Sequence, residues 1–335
     1  MNKKSLIEKV QDFLSGPIAF VLGSGCSAHF GLPTSSEITS RLLSDPIIQT
    51  MKSFSRLSSA LKVLPLEEAI VKSRCDSAFV DRMRIVVWKA ISEKDLELFH
   101  ELRSGRTLGG LGRLIDLSLE TSSQSALIVT TNYDRIPEYL ADKYQAEVID
   151  GLSGQYQLWS SAERTYDWKT KKLFVWKVHG SLDWYKAPDA SSVYRIPLQN
   201  QIPTWAIPLI VPPSNAKYEE TAEFPYRAII EQADAAFKKS SCFLCIGYGF
   251  GDKHIQPILI EELQKGRPLV CLTKSITESA LRILTKNSSH YLIFECGKEP
   301  GQTRILSSEK LFDNQVIRGN YWDVDVFAKE IFDHD

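Results

Sequence analysis

The 335-residue sequence has almost no net charge, few cysteines and no long apolar run, and each absence excludes a class of protein. Its 40 basic and 41 acidic side chains leave a formal charge of −1, so we expect no direct binding to nucleic acid. No apolar stretch approaches the ~18 residues that span a bilayer, so we expect no membrane association. Six scattered cysteines are typical of a reducing compartment, and we place the protein in the cytoplasm.

The composition that remains is that of a globular protein with a large core. Hydrophobic residues make up 43% of the chain, and the length allows one large domain with an insertion or two domains. Residues 1–16 carry Leu6, Ile7, Val10 and Phe13 at helical spacing. This segment also contains acidic residues, so we interpret it as an amphipathic N-terminal helix rather than a signal peptide.

Short, continuously apolar runs recur along the chain and predict strands that are covered on both faces. Helical patterns lie between several of these runs, so we expect an α/β fold with a parallel sheet. Between the first two runs the periodicity is helical, and we interpret about residues 35–120 as a helical insertion. The predicted strands cover residues 18–22, 127–130, 173–178, 209–211, 242–246, 269–272 and 291–294.

Two glycine-rich turns follow predicted strands. Residues 23–28, G-S-G-C-S-A, match the pattern of a turn whose amides approach a pyrophosphate at a helix start. A plain tight turn fits this pattern equally well, and no second strand ending in an acidic residue follows about twenty residues on, as a dehydrogenase would require. Gly247-Tyr248-Gly249 forms a second such turn. Two glycine turns on one sheet predict a crevice that binds a ligand with a pyrophosphate.

Polar residues end two of the predicted strands. Thr130, Thr131, Asn132 and Asp134 follow the second strand, and His179 follows the third. Ligands bind where the carboxyl ends of parallel strands meet, so we expect these side chains at one edge of the sheet. The alternative is that Asn132 and Asp134 cap the next helix and that His179 is a structural residue.

Two other features have plain structural explanations. Thr34 and Glu37 form a capping box that predicts a helix start. Cys242 and Cys245 have no second pair at zinc spacing, so we expect both to be buried and predict no metal site. Tryptophans between residues 151 and 205 either anchor long loops on the core or form a stacking wall for a ring ligand.

In order and spacing, these motifs resemble those of the sirtuin superfamily over about residues 18–294. The motifs are G-S-G-C-S at 23–27, G-L-P at 31–33, T-T-N-Y-D at 130–134, H-G at 179–180 and G-Y-G at 247–249. Three departures weigh against protein deacylation: the chain lacks a four-cysteine zinc module, Thr131 replaces a glutamine, and residues 34–36 replace an acidic-aromatic-arginine segment. The motifs look more like the sirtuin-like domains of bacterial antiphage defence systems, which hydrolyse NAD⁺.

The resemblance implies a fold, a set of domain limits and a set of site residues. The fold is a Rossmann-like parallel sheet of the sirtuin type, with the catalytic domain at residues 17–299 and a short C-terminal extension at 300–335. Asn132 positions the nicotinamide ribose and the attacking water, and His179 acts as a base; NAD⁺ is the substrate, and no metal is required. The predicted dinucleotide-binding residues are Gly23, Ser24, Gly25, Cys26, Ser27, Pro33, Thr131, Asp134, Gly247, Tyr248 and Gly249.

Several alternatives and partners stay open at this point. The chain is expected to be an NAD⁺ hydrolase of an abortive-infection system; a deacylase, an ADP-ribosyltransferase or a non-catalytic NAD⁺ or ADP-ribose sensor are the alternatives. Because an uncontrolled NAD⁺ hydrolase would kill its host, we expect control by assembly. The expected partners are further copies of this chain, contacting through the insertion and the N-terminal helix, and a protein of the same operon such as a HerA-like ATPase.

Overall fold

The computed structural model describes residues 3–154, 157–160, 170–188, 192–212 and 220–333, with only the backbone at 157–160. The helices are α1 Lys3–Phe13, α2 Ser24–His29, α3 Ser35–Ser44, α4 Pro46–Thr50, α5 Phe54–Ala60, α6 Leu66–Ser73, α7 Ser77–Arg103, α8 Gly109–Leu119, α9 Ile136–Tyr144, α10 Tyr226–Lys239, α11 Gln256–Gln264, α12 Glu278–Asn287 and α13 Val324–Phe332. The strands are β1 Ile18–Leu22, β2 Ser125–Thr130, β3 Glu147–Ile149, β4 Leu152–Ser153, β5 Gln157–Ser160, β6 Lys172–Lys177, β7 Gly180–Lys186, β8 Val193–Arg195, β9 Ile207–Ile210, β10 Cys242–Ile246, β11 Leu269–Thr273, β12 Tyr291–Cys296, β13 Gln302–Ser307 and β14 Gln315–Arg318.

A nine-stranded sheet forms the centre of the fold, in the order β14-β13-β12-β11-β10-β1-β2-β6-β3. The strands from β12 to β3 pair in parallel, and β13 and β14 are antiparallel. Phe20 and Leu22 pack into one apolar cluster, whereas Ala19 and Val21 pack into a second. Both faces of β1 are therefore covered, which explains its continuous apolarity and confirms the predicted α/β fold with a parallel sheet.

One predicted strand belongs to a different sheet. Residues 209 and 210 of this segment belong to β9, which pairs antiparallel with β7 in a five-stranded sheet of order β4-β5-β8-β7-β9. The expectation that it joins the parallel sheet is wrong. A short apolar run indicates burial of a strand but does not identify its neighbours.

The region between β1 and β2 is helical, as predicted, and contains α2 to α8. The capping box is confirmed at α3, where Glu37 N donates to Thr34 Oγ1 and Thr34 N donates to Glu37 Oε2. Helix α6 begins at Leu66, directly after Pro65. The 27-residue α7 lies within this region and buries Phe79, Met83 and other apolar side chains.

The apolar stripe of α1 is buried within the chain. Leu6, Val10 and Phe13 are at most 3% exposed, and α1 packs against β11 and α13. Most apolar side chains of the insertion helices are also buried in the same core, although Ile47 of α4 and Val71 of α6 are about half exposed. These faces therefore give no argument for an oligomer, which stays a prediction.

Residues 300–335, predicted as a short extension, contribute two sheet strands and a core helix. β13 pairs with β12, and β14 pairs with β13. Helix α13 packs against α8 and α1 and buries Phe327 and Ile331 completely. Within the described part of the chain, no helix is long and apolar enough to cross a membrane.

Three tryptophans of the 151–205 region have described side chains. Trp176 and Trp184 are buried, whereas Trp205 is 46% exposed and meets Tyr194 edge-on at 5.5 Å between ring centroids. The two buried rings belong to strands, Trp176 to β6 and Trp184 to β7, and pack into one apolar cluster, so they are core residues rather than loop anchors. Trp168 and the Trp159 side chain lie outside the described residues.

Candidate active site

The two glycine turns lie directly against each other at the carboxyl ends of β1 and β10. Gly23 N donates to Ile246 O at 3.0 Å, and Gly25 N donates to Gly247 O at 3.1 Å. A Cβ atom at Gly247, where φ is +59°, would lie 2.3 Å from Cys26 N. The close contact between the two turns therefore requires glycine.

This contact changes the role that the sequence suggests for the first turn. The amides of Gly25 and Cys26 are expected to bind phosphate, but they donate to Gly247 O and Gly23 O. Their hydrogens are thus used within the protein. The glycines here bring two strand ends together and so shape the wall of a cavity.

A cavity of about 910 Å³ lies beside the two turns, within the size range of small-molecule sites. Six predicted binding residues line it: Ser24, Gly25, Cys26, Gly247, Tyr248 and Gly249. The cavity continues past the end of β11, at residues 273–277, to residues 322–324 before and at the start of α13. A smaller cavity of about 490 Å³, beside Arg84 and Tyr226, contains none of the predicted site residues among those that line it.

Asn132 is fixed in orientation by the turn after β1. Its Nδ2 donates to Gly23 O at 2.8 Å and to Ser27 Oγ at 2.7 Å. Ser27 Oγ donates to Asp134 Oδ2 at 2.5 Å. Both amide hydrogens of Asn132 are used in these bonds, so its Oδ1 is the atom left to accept a hydrogen bond from a ligand or a water.

Asp134 serves this network and the helix that follows. Burial raises the pKa of its carboxyl, while the Ser27 hydroxyl and the Lys177 charge act in the opposite direction. Its Oδ1 also accepts from Ile136 N, at the first residue of α9, at 3.2 Å, although Arg135 occupies the N-cap position. One carboxylate therefore orients the Ser27 hydroxyl and starts α9.

Lys177 joins the two loops that carry the polar residues. It is completely buried at the end of β6, and its Nζ donates to Asp134 O at 2.6 Å and to Ser181 Oγ at 3.0 Å. The same ammonium lies 2.7 Å from Glu138 Oε1, and desolvation raises the pKa of Glu138 to about 7. Sequence reasoning missed Lys177, although a lysine ending an apolar run beside His179 was an available signal.

His179 lies against an acidic residue from the second glycine turn. Its Nε2 is 2.9 Å from Asp252 Oδ2, and both side chains are at most 7% exposed. The contact has the distance of an ion pair, but Nε2 makes no aligned hydrogen bond within the described residues. The ring of His254 meets the His179 ring edge-on at 5.9 Å. Asp252 was not predicted as a site residue, although it is the acid that directly follows the turn.

The predicted residues thus fall into two neighbouring groups. The glycine turns border the large cavity at the ends of β1 and β10. Asn132 and His179 follow β2 and β6, on the other side of β1. Seven predicted residues are not among those that line the cavity: Gly23, Ser27, Pro33, Thr131, Asn132, Asp134 and His179. Pro33 and Thr131 are half-buried.

The cysteine pair in β10 is structural, as predicted. Cys242 and Cys245 are free and completely buried, and burial raises the pKa of Cys242 to about 12. A buried thiol of this kind packs as a small apolar side chain.

His29, Asp323 and Asp325 form a cluster at the cavity wall. Asp323 and Asp325 each lie 3.2 Å from one ring nitrogen of His29. Hydrogen bonds to these carboxylates, Asp323 first, raise the pKa of His29 to about 9. The two carboxylates therefore favour the charged form of the imidazole.

Comparisons with known proteins give a consistent result. A family model described as a SIR2-like domain matches residues 126–310, more than half of the chain. A Sir2 homologue mutant in complex with ADP-ribose is 12% identical, with a TM-score of 0.50 over 99% of this chain and 96% of that one. A Sir2 homologue in complex with NAD is 13% identical, with a TM-score of 0.42 over 88% of each chain. No curated protein matches the sequence.

Proposed function

The chain belongs to the SIR2-like domain family, and from that premise we propose that it hydrolyses NAD⁺ to ADP-ribose and nicotinamide. The observation that carries the proposal is the orientation of the Asn132 amide, which is fixed by two hydrogen bonds. Asn132 follows β2, the neighbour of β1 in the sheet, and the two glycine turns after β1 and β10 border the cavity. A protein that shares this fold was solved with ADP-ribose, one of the two products. The cavity volume of about 910 Å³ is adequate for a dinucleotide.

The chemistry needs an oriented water and a proton acceptor. The bond between C1′ of the ribose and the nicotinamide nitrogen breaks, and its electron pair stays on the nitrogen, so neutral nicotinamide leaves. Water oxygen bonds to C1′ and loses one proton. Asn132 Oδ1 orients the water or a ribose hydroxyl, and His179 accepts the proton. These residues supply both needs without a metal.

Protein deacylation is the alternative within the family. Thr131 in place of glutamine, and a sequence without a four-cysteine zinc module, weigh against it. Nicotinamide release without any acyl-lysine peptide supports hydrolysis, whereas release only with such a peptide supports deacylation. Binding of ADP-ribose or NAD⁺ without nicotinamide release supports a sensor.

The decisive experiment measures free nicotinamide from purified wild-type protein and from two variants. Asn132→Ala and His179→Ala should each abolish release while the thermal unfolding transition is retained, because both side chains lie outside the apolar strands. His100→Ala, at the exposed end of α7, is the matched control and should match wild type. Turnover at the wild-type rate in either site variant contradicts the assignment.

Control of the activity belongs to the same proposal. We expect the chain to act as the effector of an antiphage defence system, assembled with further copies of itself and with a partner such as a HerA-like ATPase. NAD⁺ consumption should be low for the chain alone and should rise when the product of the neighbouring gene is added. Equal rates with and without that product would remove the expectation of partner control.

A further inference from the structure

The arrangement around His179 contains an acidic residue that the predicted mechanism does not use. Asp252 follows the second glycine turn, and its Oδ2 is the carboxylate oxygen nearest to His179 Nε2, at 2.9 Å. From this contact we propose that Asp252 is a positioning residue, which sets the tautomer and the orientation of His179. The inference rests on the proposed NAD⁺ hydrolysis and assigns to that reaction a buried acid–imidazole pair.

Asp252 is well placed to hold the ring because its own position is fixed. Its Oδ1 accepts from His254 N at 3.0 Å and from Ile255 N at 3.3 Å, immediately before α11. The backbone leading to it includes Phe250 at a φ of +54°, in the left-handed region. One carboxylate oxygen is thus bound to the backbone, and the other faces the imidazole.

The chemistry of the pair follows from the donors and acceptors present. An ionised carboxylate only accepts hydrogen bonds, so a neutral His179 keeps its proton on Nε2 and carries its lone pair on Nδ1. When Nδ1 takes the proton lost by the attacking water, the nearby carboxylate stabilises the imidazolium. The proton returns to solvent after the products leave, and Asp252 stays ionised throughout.

The contact as it stands lacks hydrogen-bond alignment. Catalytic hydrogen bonds often tighten only when the substrate is bound. The two atoms are already within hydrogen-bond distance, at 2.9 Å. The ring of His254 lies edge-on to His179, 5.9 Å away between centroids.

Asp252→Asn tests the proposal because it keeps the oxygen that accepts from His254 N and Ile255 N. Its new NH₂ group donates toward Nε2 and so moves the His179 proton to Nδ1. We expect kcat for NAD⁺ to fall by about 100-fold or more, with KM within about 2-fold of wild type. Asp76→Asn is the matched control, since Asp76 caps α7 through Phe79 N, and it should leave both constants unchanged.

The outcomes separate this inference from the proposed function. If wild type releases nicotinamide and His179→Ala does not, a kcat for Asp252→Asn within 2-fold of wild type overturns the positioning role alone. If wild type releases no nicotinamide, the proposed function fails, and ¹⁵N spectra of histidine-labelled protein still decide the pair. In these spectra neutral His179 should carry its proton on Nε2. The measurement uses wild-type protein, so it does not depend on whether a variant folds. A proton on Nδ1 in wild type overturns the proposal.

Discussion

Ser27 occupies the centre of the site because its hydroxyl accepts from Asn132 and donates to Asp134. Ser27→Ala leaves the Asn132 amide with a single anchor, Gly23 O, and leaves Asp134 Oδ2 without this donor. We expect kcat for NAD⁺ to fall by about 10- to 100-fold, because small errors in orientation are costly.

Steady-state release of nicotinamide measures the effect of Ser27→Ala. Ser40→Ala, which removes an exposed hydroxyl on α3, is the control and should match wild type. An unchanged kcat in Ser27→Ala would show that Gly23 O alone is enough to orient Asn132.

The two glycine turns offer a second test at the residue scale. Gly247 has a φ of +59°, and a Cβ atom there would lie 2.3 Å from Cys26 N. Gly247→Ala should therefore lower the free energy of unfolding by about 2–4 kcal/mol and weaken ADP-ribose binding. At Gly251 a Cβ atom would meet nothing within 4 Å, so Gly251→Ala is the control. Urea unfolding measures both variants. If each has a free energy of unfolding within about 0.5 kcal/mol of wild type, which is the spread of neutral surface changes, this account is contradicted.

At the scale of elements, α7 is tied to α9 by a buried polar cluster. Asp95 of α7 is completely buried and accepts from Arg135 N and Nε, each at 2.8 Å. Tyr139 of α9 donates its hydroxyl to Asp95 Oδ2 at 2.5 Å. The helical insertion thereby holds the loop that carries Asn132.

Asp95→Ala leaves the Arg135 charge buried without its partner and should cost about 3–5 kcal/mol of unfolding free energy. Tyr139→Phe removes one hydrogen bond and should cost about 1–2 kcal/mol. Urea unfolding measures both, and an equal cost for the two variants would argue against a buried charge as the cause.

A pH-dependent contact joins α2 to the start of α13. The pKa of His29 is raised from 6.5 to about 9 by Asp323 and Asp325, and the pKa values of these carboxyls are lowered. Since the folded pKa of His29 exceeds the unfolded one, its contribution is complete below about pH 6.5 and is lost as pH rises toward 9. The carboxyls contribute above their unfolded pKa values and lose that contribution in acid.

His29→Gln should therefore destabilise the protein by about 1–2 kcal/mol at pH 6, after allowance for solvent screening, and by less at pH 9. Urea unfolding of both proteins at these two values measures the difference. A penalty that is the same at pH 6 and pH 9 would mean that charge on His29 does not contribute.

For the whole molecule, the first and last helices close the same core. Gln11 Nε2 donates to Ile331 O at 2.8 Å across 320 residues of sequence, and α1 packs on α13. Leu6 is 1% exposed, so Leu6→Ala should lower the free energy of unfolding by about 2–5 kcal/mol. Light scattering should show the same mass for variant and wild type. If Leu6→Ala instead has a lower mass than wild type and an unchanged free energy of unfolding, α1 lies in an interface between copies.

The sequence by itself determined six of the nine strands of the central sheet and the order of the motifs, but it did not reveal β3, β13 or β14. Burial on both faces leaves continuous apolar runs, and tight turns leave glycines, so both features are written in neighbouring residues. The same local signals identified the start of α3 and placed Asn132 and His179 at strand ends.

Only the tertiary structure decided which side chains meet. Asn132 contacts Ser27 across 105 residues of sequence, and Asp252 comes from a different turn than His179. Three other contacts are likewise long-range. They are the pairing of β9 with β7, the hydrogen bonds of Lys177 and the packing of α1 against β11 and α13. Such pairings depend on how the elements pack, because a local pattern records that a residue is buried but not what covers it.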